Sequence, residues 1–129
     1  MTVILPTPIP TTNGGLVFQG WRELQLHTEP ATNGAVQLEL PQVDPAETLL
    51  IDHMLATCDS ISATQLRLYV NAVGALNLRD GSSRGNFDVA DWPQGLLVRP
   101  STTLVAQWTG ASDGAIGVLT LQARVFRQG

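Results

Sequence analysis

Two stretches of the chain alternate apolar and polar residues one by one, and this pattern constrains the fold more than any other feature of the sequence. Leu66, Leu68 and Val70 are the apolar members of residues 64–70, and residues 116–126 alternate in the same way. Successive side chains of a β-strand point to opposite faces, so a period of two predicts strands with one buried face. Similar runs recur between glycine, proline and asparagine turn signals. Seven or eight short strands at this spacing predict an all-β fold, an antiparallel β-sandwich of jelly-roll-like type.

Two pairs of neighbouring strands are predicted to form hairpins. The first joins residues 21–29 to residues 35–40 through an Asn-Gly turn at residues 33–34, because both residue types tolerate the positive φ of a tight turn. The second joins residues 95–99 to residues 103–108 through a Pro-Ser turn.

Residues 47–60 fit two secondary structures. Asp44, Pro45 and Glu47 suit the start of a helix, with proline at the first helical position. The β-branched residues of the segment favour extended structure instead. Apolar residues change face near Asp52-His53. We therefore predict one long strand with a β-bulge at that point.

The acidic segment at residues 80–91 is the best candidate for a site, and it lies in a long loop predicted at residues 72–94. Arg84 stands where a calcium-binding loop needs a ligand oxygen, and no helix pattern flanks the segment. We therefore assign no metal here and expect turns held by side-chain to backbone bonds at Asp80-Gly81 and Asn86. The residues that match the calcium-loop spacing are Asp80, Ser82, Gly85, Asp88 and Asp91.

The remaining nucleophilic and titratable residues form no catalytic pattern. His27 and His53 lie on separate predicted strands, with neither a cysteine nor a paired carboxylate nearby. Ser60, Ser62 and Ser101 lack the strand-turn-helix setting of a nucleophile elbow. We therefore predict a protein that is not an enzyme and that needs no cofactor.

Charge and composition narrow the classes of partner. The chain of 129 residues has 7 cationic side chains, all arginine, and 11 acidic ones, for a net charge of −4. With no basic face to neutralise phosphates, nucleic acid is not predicted as a partner. No apolar run approaches the ~20 residues that cross a bilayer, and the proline-interrupted start is unlike a signal peptide, so no membrane is predicted either. The single cysteine, Cys58, excludes an internal disulfide and is expected to be buried.

Residues 1–20 are predicted to form an extended N-terminal arm, and residues 21–129 the β-sandwich domain. Three prolines and three glycines interrupt the arm. It is either a frayed terminus or a segment that adds to the sheet edge of a neighbouring subunit. The apolar residues that would make such subunit contacts are Val3, Ile4, Leu5, Leu16, Val17 and Phe18.

The three tryptophans receive different predictions. Trp108 lies on the apolar face of residues 103–108 and is assigned to the core. Trp92 lies in the predicted loop and is a candidate anchor of a subunit contact. As an alternative, Trp21, Trp92 and Trp108, with Tyr69, form a stacking platform for a sugar.

The second half of the chain resembles a family. Its motifs are LYVN at residues 68–71, NLRDG at 77–81, GNFDVAD at 85–91 and LVAQWTGA at 104–111. Residues 66–125 are similar to small virion proteins of tailed bacteriophages, notably those of GC-rich actinobacterial hosts. The lysine-free composition agrees with such a host.

This resemblance implies a β-sandwich subunit that assembles on a phage particle and has no catalytic residues. The expected role is a capsid decoration (cement) protein that stabilises the head shell. Its expected partners are other copies of itself, as a homotrimer or another homo-oligomer, and the major capsid protein. The alternative is a tail, fibre or receptor-binding component with a carbohydrate-binding sandwich. Either role implies assembly in the host cytoplasm and residence in the virion.

Overall fold

The computed structural model describes residues 15–128 of the chain. These residues form eight β-strands and one short 3₁₀ turn, so the predicted all-β class is confirmed. Within this range, no helix has the length and apolar character needed to span a membrane. The elements are β1 (Leu16–His27), β2 (Ala35–Glu39), β3 (Glu47–Cys58), β4 (Gln65–Val70), the 3₁₀ turn (Ala75–Asn77), β5 (Leu78–Ser82), β6 (Phe87–Val98), β7 (Leu104–Thr109) and β8 (Gly117–Gln128).

The strands form two four-stranded antiparallel sheets, which confirms the predicted sandwich. Sheet A has the order β1-β8-β3-β6, and sheet B has the order β2-β7-β4-β5. The pairing is nested from the two ends inward: β1 pairs with β8, β2 with β7, β3 with β6 and β4 with β5. As a result, every connection except that between β4 and β5 carries the chain from one sheet to the other.

Neither predicted hairpin forms. Asn33 and Gly34 do make the predicted tight turn, with φ of 57° and 80°, but the turn leads from β1 in sheet A to β2 in sheet B. The Pro100-Ser101 turn likewise leads from β6 to β7, which lie in different sheets. The turn chemistry was predicted correctly and the pairing was wrong, because turn residues fix a reversal of direction but not the sheet in which the next strand lies.

The long bulged strand predicted at residues 47–60 is confirmed as β3. Its register against both β6 and β8 shifts between Ile51 and His53. The buried face accordingly passes from Ile51 before the bulge to Met54 after it. The extra residue, Asp52, accepts hydrogen bonds from the Arg124 guanidinium of β8.

The long loop predicted at residues 72–94 is wrong, because most of it is strand. β5 and β6 occupy both sides of a short crossing at residues 83–86. The side chains that face the other sheet here include Asp80, Ser82 and Asp88, which are polar. Phe87 and Val89 alternate with Asp88, but here the apolar side chains face outward and the polar one inward, so the pattern did not indicate a strand with a buried apolar face.

Only the end of the predicted arm, residues 15–20, lies within the described residues. Leu16 to Gly20 belong to β1 and pair with the last residues of β8, with a bulge between Phe18 and Gly20. The glycines of this segment suggested an interruption, whereas Gly20, with φ of 146°, accommodates the bulge. The other candidate arm contacts, Val3, Ile4 and Leu5, lie outside the described residues.

The core lies between the two sheets, and Trp108 is at its centre with none of its surface exposed, as predicted. Its indole Nε1 donates to the carbonyl oxygen of Gly85 at 2.9 Å. A Cβ on Gly117 would lie 2.7 Å from the indole ring, so this glycine leaves the space that the ring fills. Cys58 is buried as predicted, and burial raises the pKa of its thiol.

Candidate interaction surfaces

Large apolar side chains lie at both ends of the outer face of sheet A, the face turned away from sheet B, and a polar band lies between them. The inward residues of β8 are buried, so the register of the sheet assigns the alternate residues of all four strands to this face. Trp21 is 70% exposed and Phe87 59% exposed, and exposed apolar groups of this size mark an interaction surface. Its apolar members are Phe18, Trp21, Leu50, Leu55, Phe87, Val89, Leu97, Val118 and Phe126.

Three aromatic rings gather at one end of this face. The ring of Phe18 packs edge-on against Trp21, with the centroids 5.8 Å apart, and against Phe126, with the centroids 5.6 Å apart. Such pairs hold large apolar rings in fixed positions. The face therefore has a preformed aromatic corner beside the start of β1.

The outer face of sheet B differs in character. Apart from Leu78 and the buried pair Tyr69 and Val105, the register places mainly polar side chains there. These are Gln37, Glu39, Gln65, Arg67, Gln107 and Thr109. The two sides of the sandwich are thus suited to different surroundings, water for sheet B and an apolar partner for sheet A.

The charged side chains in the middle of the sheet A face are paired with one another. The Arg124 guanidinium donates three hydrogen bonds of 2.8–3.1 Å to Asp52. His53 Nδ1 lies 2.7 Å from Asp91 Oδ1. The expectation that no carboxylate lies near His53 was wrong, because the register of β3 against β6 sets Asp91 directly opposite it. Covering this face would therefore leave neither pair without its partner.

The predicted contact residues fall into two separate places. Leu16, Val17 and Phe18 lie at the start of β1, an edge strand of sheet A, and each is about half exposed (47–53%). Trp92 lies on β6, the opposite edge strand, so its predicted loop position was wrong. The first group adjoins the apolar face, and Trp92 does not.

Trp92 stands at a cleft where the edge strands β5 and β6 face each other across the sandwich. Its indole Nε1 donates to Asp80 Oδ2 at 3.0 Å, so the two side chains link the sheets. The cleft has a volume of about 230 Å³ and a largely apolar lining. Its lining residues include Met54, Ala56, Leu66, Leu68 and Ala90, with Ser82 and Asp88 also at the site.

The residues of the calcium-like spacing are only partly brought together. Asp80, Ser82 and Asp88 line the cleft, whereas Asp91 contacts His53 on the outer face and Gly85 contacts Trp108 in the core. Among residues 15–128, no group of three or more His, Cys, Asp or Glu side chains is arranged to hold a metal ion.

The serines considered as nucleophiles have structural contacts. Ser60 Oγ accepts from the backbone N–H of Ser112 at 2.9 Å, and Ser62 Oγ donates to the carbonyl of Gly110 at 2.7 Å. Ser101 has φ of 61° and lies in the turn before β7. The Ser60 and Ser62 hydroxyls hold loops in place, a role with no signature in the sequence because their partners are about 50 residues away.

Removing the Ser82 hydroxyl is expected to raise the pKa of Asp88. This pKa lies below its usual range, first because Ser82 donates to the carboxylate and second because the Val89 N–H does. The stability supplied by these bonds is present above the ordinary carboxyl pKa and is lost as pH falls through the lowered one. In Ser82→Ala, NMR titration of the carboxyl carbon should show the Asp88 pKa shifted toward its ordinary value. The matched variant Ser83→Ala should leave it in place, and an unchanged pKa in Ser82→Ala would contradict the assignment.

Comparison with known proteins assigns no family to this geometry. No protein-family model matches the chain, and a search of curated proteins finds no match. A functional proposal therefore depends on the surfaces and contacts described above.

Proposed function

We propose that this protein is a non-enzymatic structural protein of a bacteriophage particle, a decoration (cement) protein that binds the head shell and stabilises it. The observation that carries the proposal is the apolar outer face of sheet A, which is suited to contact with protein and carries no catalytic arrangement. The nested pairing of the eight strands supports a jelly-roll-like arrangement, and jelly rolls are used in viral capsid and lectin domains. The virion motifs in residues 66–125 support the same role.

The proposed mechanism is binding through many repeated contacts. The edge strand β1 and the aromatic corner beside it form one contact region. Residues 1–14 precede that edge directly and carry no charged side chain, so they suit an apolar site on a neighbouring subunit or on the shell. Weak contacts that are repeated by symmetry add up to strong attachment.

A receptor-binding component of the tail or fibre is the second candidate, and the cleft at Trp92 favours it. An aromatic ring can stack on a sugar, and carboxylates beside it can accept hydrogen bonds from the sugar hydroxyls. Trp92 and Asp80 supply such a pair among the lining residues of the cleft. This candidate requires glycan binding that is lost in Trp92→Ala while the domain stays folded, whereas a decoration protein requires none.

Deleting residues 1–14 is expected to release the protein from particles while the domain remains folded. The deletion ends at residue 14 because Leu16 is the first residue of β1 and pairs with β8. Occupancy is measured by quantitative gel analysis of purified particles, and folding by circular dichroism. A milder variant, Val3→Ser with Ile4→Ser and Leu5→Ser, tests the apolar contacts with the chain length kept. Occupancy equal to that of the unaltered protein in both variants would contradict the role of this segment.

A further inference from the structure

We propose that the outer face of sheet A is the surface through which two copies of this chain pack, related by a two-fold axis. This inference rests on the proposed function of a self-assembling structural protein, and it names the partner of the apolar face. Phe18, Trp21 and Phe126 occupy one end of the face, and Leu55, Phe87, Val89 and Val118 occupy the other. Two sheets with apolar faces pack face to face in the same way as the two layers of a sandwich.

The size of the face fits a stable dimer. All four strands of sheet A are 12 residues long. With strands about 4.8 Å apart and a rise of about 3.3 Å per residue, the face measures about 19 Å by about 40 Å. Two copies would then bury about 1,500 Å² in total, which lies within the range of specific protein interfaces.

The charge distribution favours a second copy over a strongly charged partner. The Asp52–Arg124 and His53–Asp91 pairs satisfy their own charges within the face. Gln122 likewise donates to Glu23 at 3.3 Å. What remains free for contact is the apolar surface on both sides of this band, and its best match is another apolar surface of equal size. A two-fold axis supplies that match, because each copy presents the same face to the other.

Trp21 is the expected anchor of this contact. It is the most exposed of the aromatic residues on the face, at 70%, and it is held by the ring of Phe18. Large aromatic side chains in a preformed position lose little conformational freedom on binding and supply much of the energy of an interface. Val89 provides an independent probe, because it lies on β6 near the opposite end of the face.

The test is the association state of the purified full-length chain, measured by sedimentation equilibrium over a wide range of concentrations. We expect a monomer–dimer equilibrium in which Trp21→Glu and Val89→Glu each raise the dissociation constant by about tenfold or more. Gln37→Glu is the matched control, because it adds the same charge to the outer face of sheet B, and it should leave the dimer unchanged. Near-ultraviolet circular dichroism checks that each variant keeps its native packing.

Several outcomes overturn the inference. A chain that is monomeric at all concentrations would contradict it. So would a trimer, since a three-fold contact sets this face against a different surface. A dimer that survives both glutamate variants would also contradict it. A dimer that is lost on deletion of residues 1–14 but not in Trp21→Glu would identify residues 1–14 as the segment that covers the face. Particle occupancy of the same variants separates the two proposals: a monomer that still decorates particles overturns the dimer alone, and a dimer that never binds particles overturns the decoration role alone.

Discussion

Trp108→Ala is expected to lower the free energy of unfolding by about 4 kcal/mol, the largest effect of any single substitution considered for this protein. Trp108 has no exposed surface, and it is the largest of the fully buried side chains in the described part of the chain. Truncation removes its contacts with both sheets and leaves a cavity that rigid strands cannot close. It also deprives the buried Gly85 carbonyl of its donor, the indole Nε1.

Trp108→Phe separates the two parts of this effect. Phenylalanine keeps much of the apolar volume but cannot donate to Gly85, so we expect a loss of about 2 kcal/mol. Both variants are measured by urea denaturation followed by far-ultraviolet circular dichroism, which does not depend on tryptophan fluorescence. Leu76→Ala is the control, since removal of a side chain that is 95% exposed should cost about 0.5 kcal/mol or less. A loss below about 1 kcal/mol in Trp108→Ala would show that this residue is not the centre of the core.

The sequence predicts the parts of this fold in which local pattern decides the structure. Trp108 is assigned to the core because it lies on the same face of its strand as the apolar residues two and four positions before it. The alternation of apolar and polar residues identifies β4 and β8. The change of apolar face near Asp52 locates the bulge of β3. In each case one face of the strand is buried against many apolar neighbours, so the strand's own sequence must alternate apolar and polar residues.

Strand pairing follows a different rule and was predicted wrongly. Neighbours in sequence were expected to pair, whereas β1 pairs with β8, about 100 residues later. The free energy that selects this arrangement comes from burying both sheets against each other, a term to which the whole chain contributes. A turn such as Asn33-Gly34 suits both a hairpin and a crossing between sheets, so its residues do not decide between them.

The apolar residues on the outer face of sheet A were not predicted to lie together, because their positions depend on strand pairing. Phe87, Val89 and Leu97 were assigned to a loop or a short strand, and only the register of β6 against β3 sets them beside Leu50 and Leu55. The His53–Asp91 pair likewise depends on that register. Leu16 to Phe18 were recognised as contact candidates from their composition, but their place at the edge of this face required the pairing of β1 with β8.

Asn86→Ala is expected to lower the free energy of unfolding by about 3 kcal/mol, a large effect for a polar residue that is only half buried. Asn86 Oδ1 accepts from the backbone N–H of Thr64 at 3.1 Å and from the Thr64 hydroxyl. Its Nδ2 donates to the carbonyls of Ser60 and Ser62 at 3.1 and 3.0 Å. Thr64 is only 2% exposed, so removal of the amide leaves buried groups without partners.

Asn86→Asp provides the sharper comparison, because it keeps the shape and one acceptor oxygen but replaces the donor Nδ2. A carboxylate oxygen would then face the Ser60 and Ser62 carbonyls, and we expect a loss at least equal to that of alanine. Asn77→Ala is the control, since Asn77 makes one exposed side-chain bond, to the carbonyl of Ala72. The measurement is urea denaturation at neutral pH. If Asn86→Ala costs no more than Asn77→Ala, the turn at residues 60–64 is held by its serines instead. A loss of about 3 kcal/mol in both Asn86 variants would show that Gly85 and Asn86 together stabilise this region. Gly85 accepts from Trp108, and Asn86 bonds to the turn at residues 60–64.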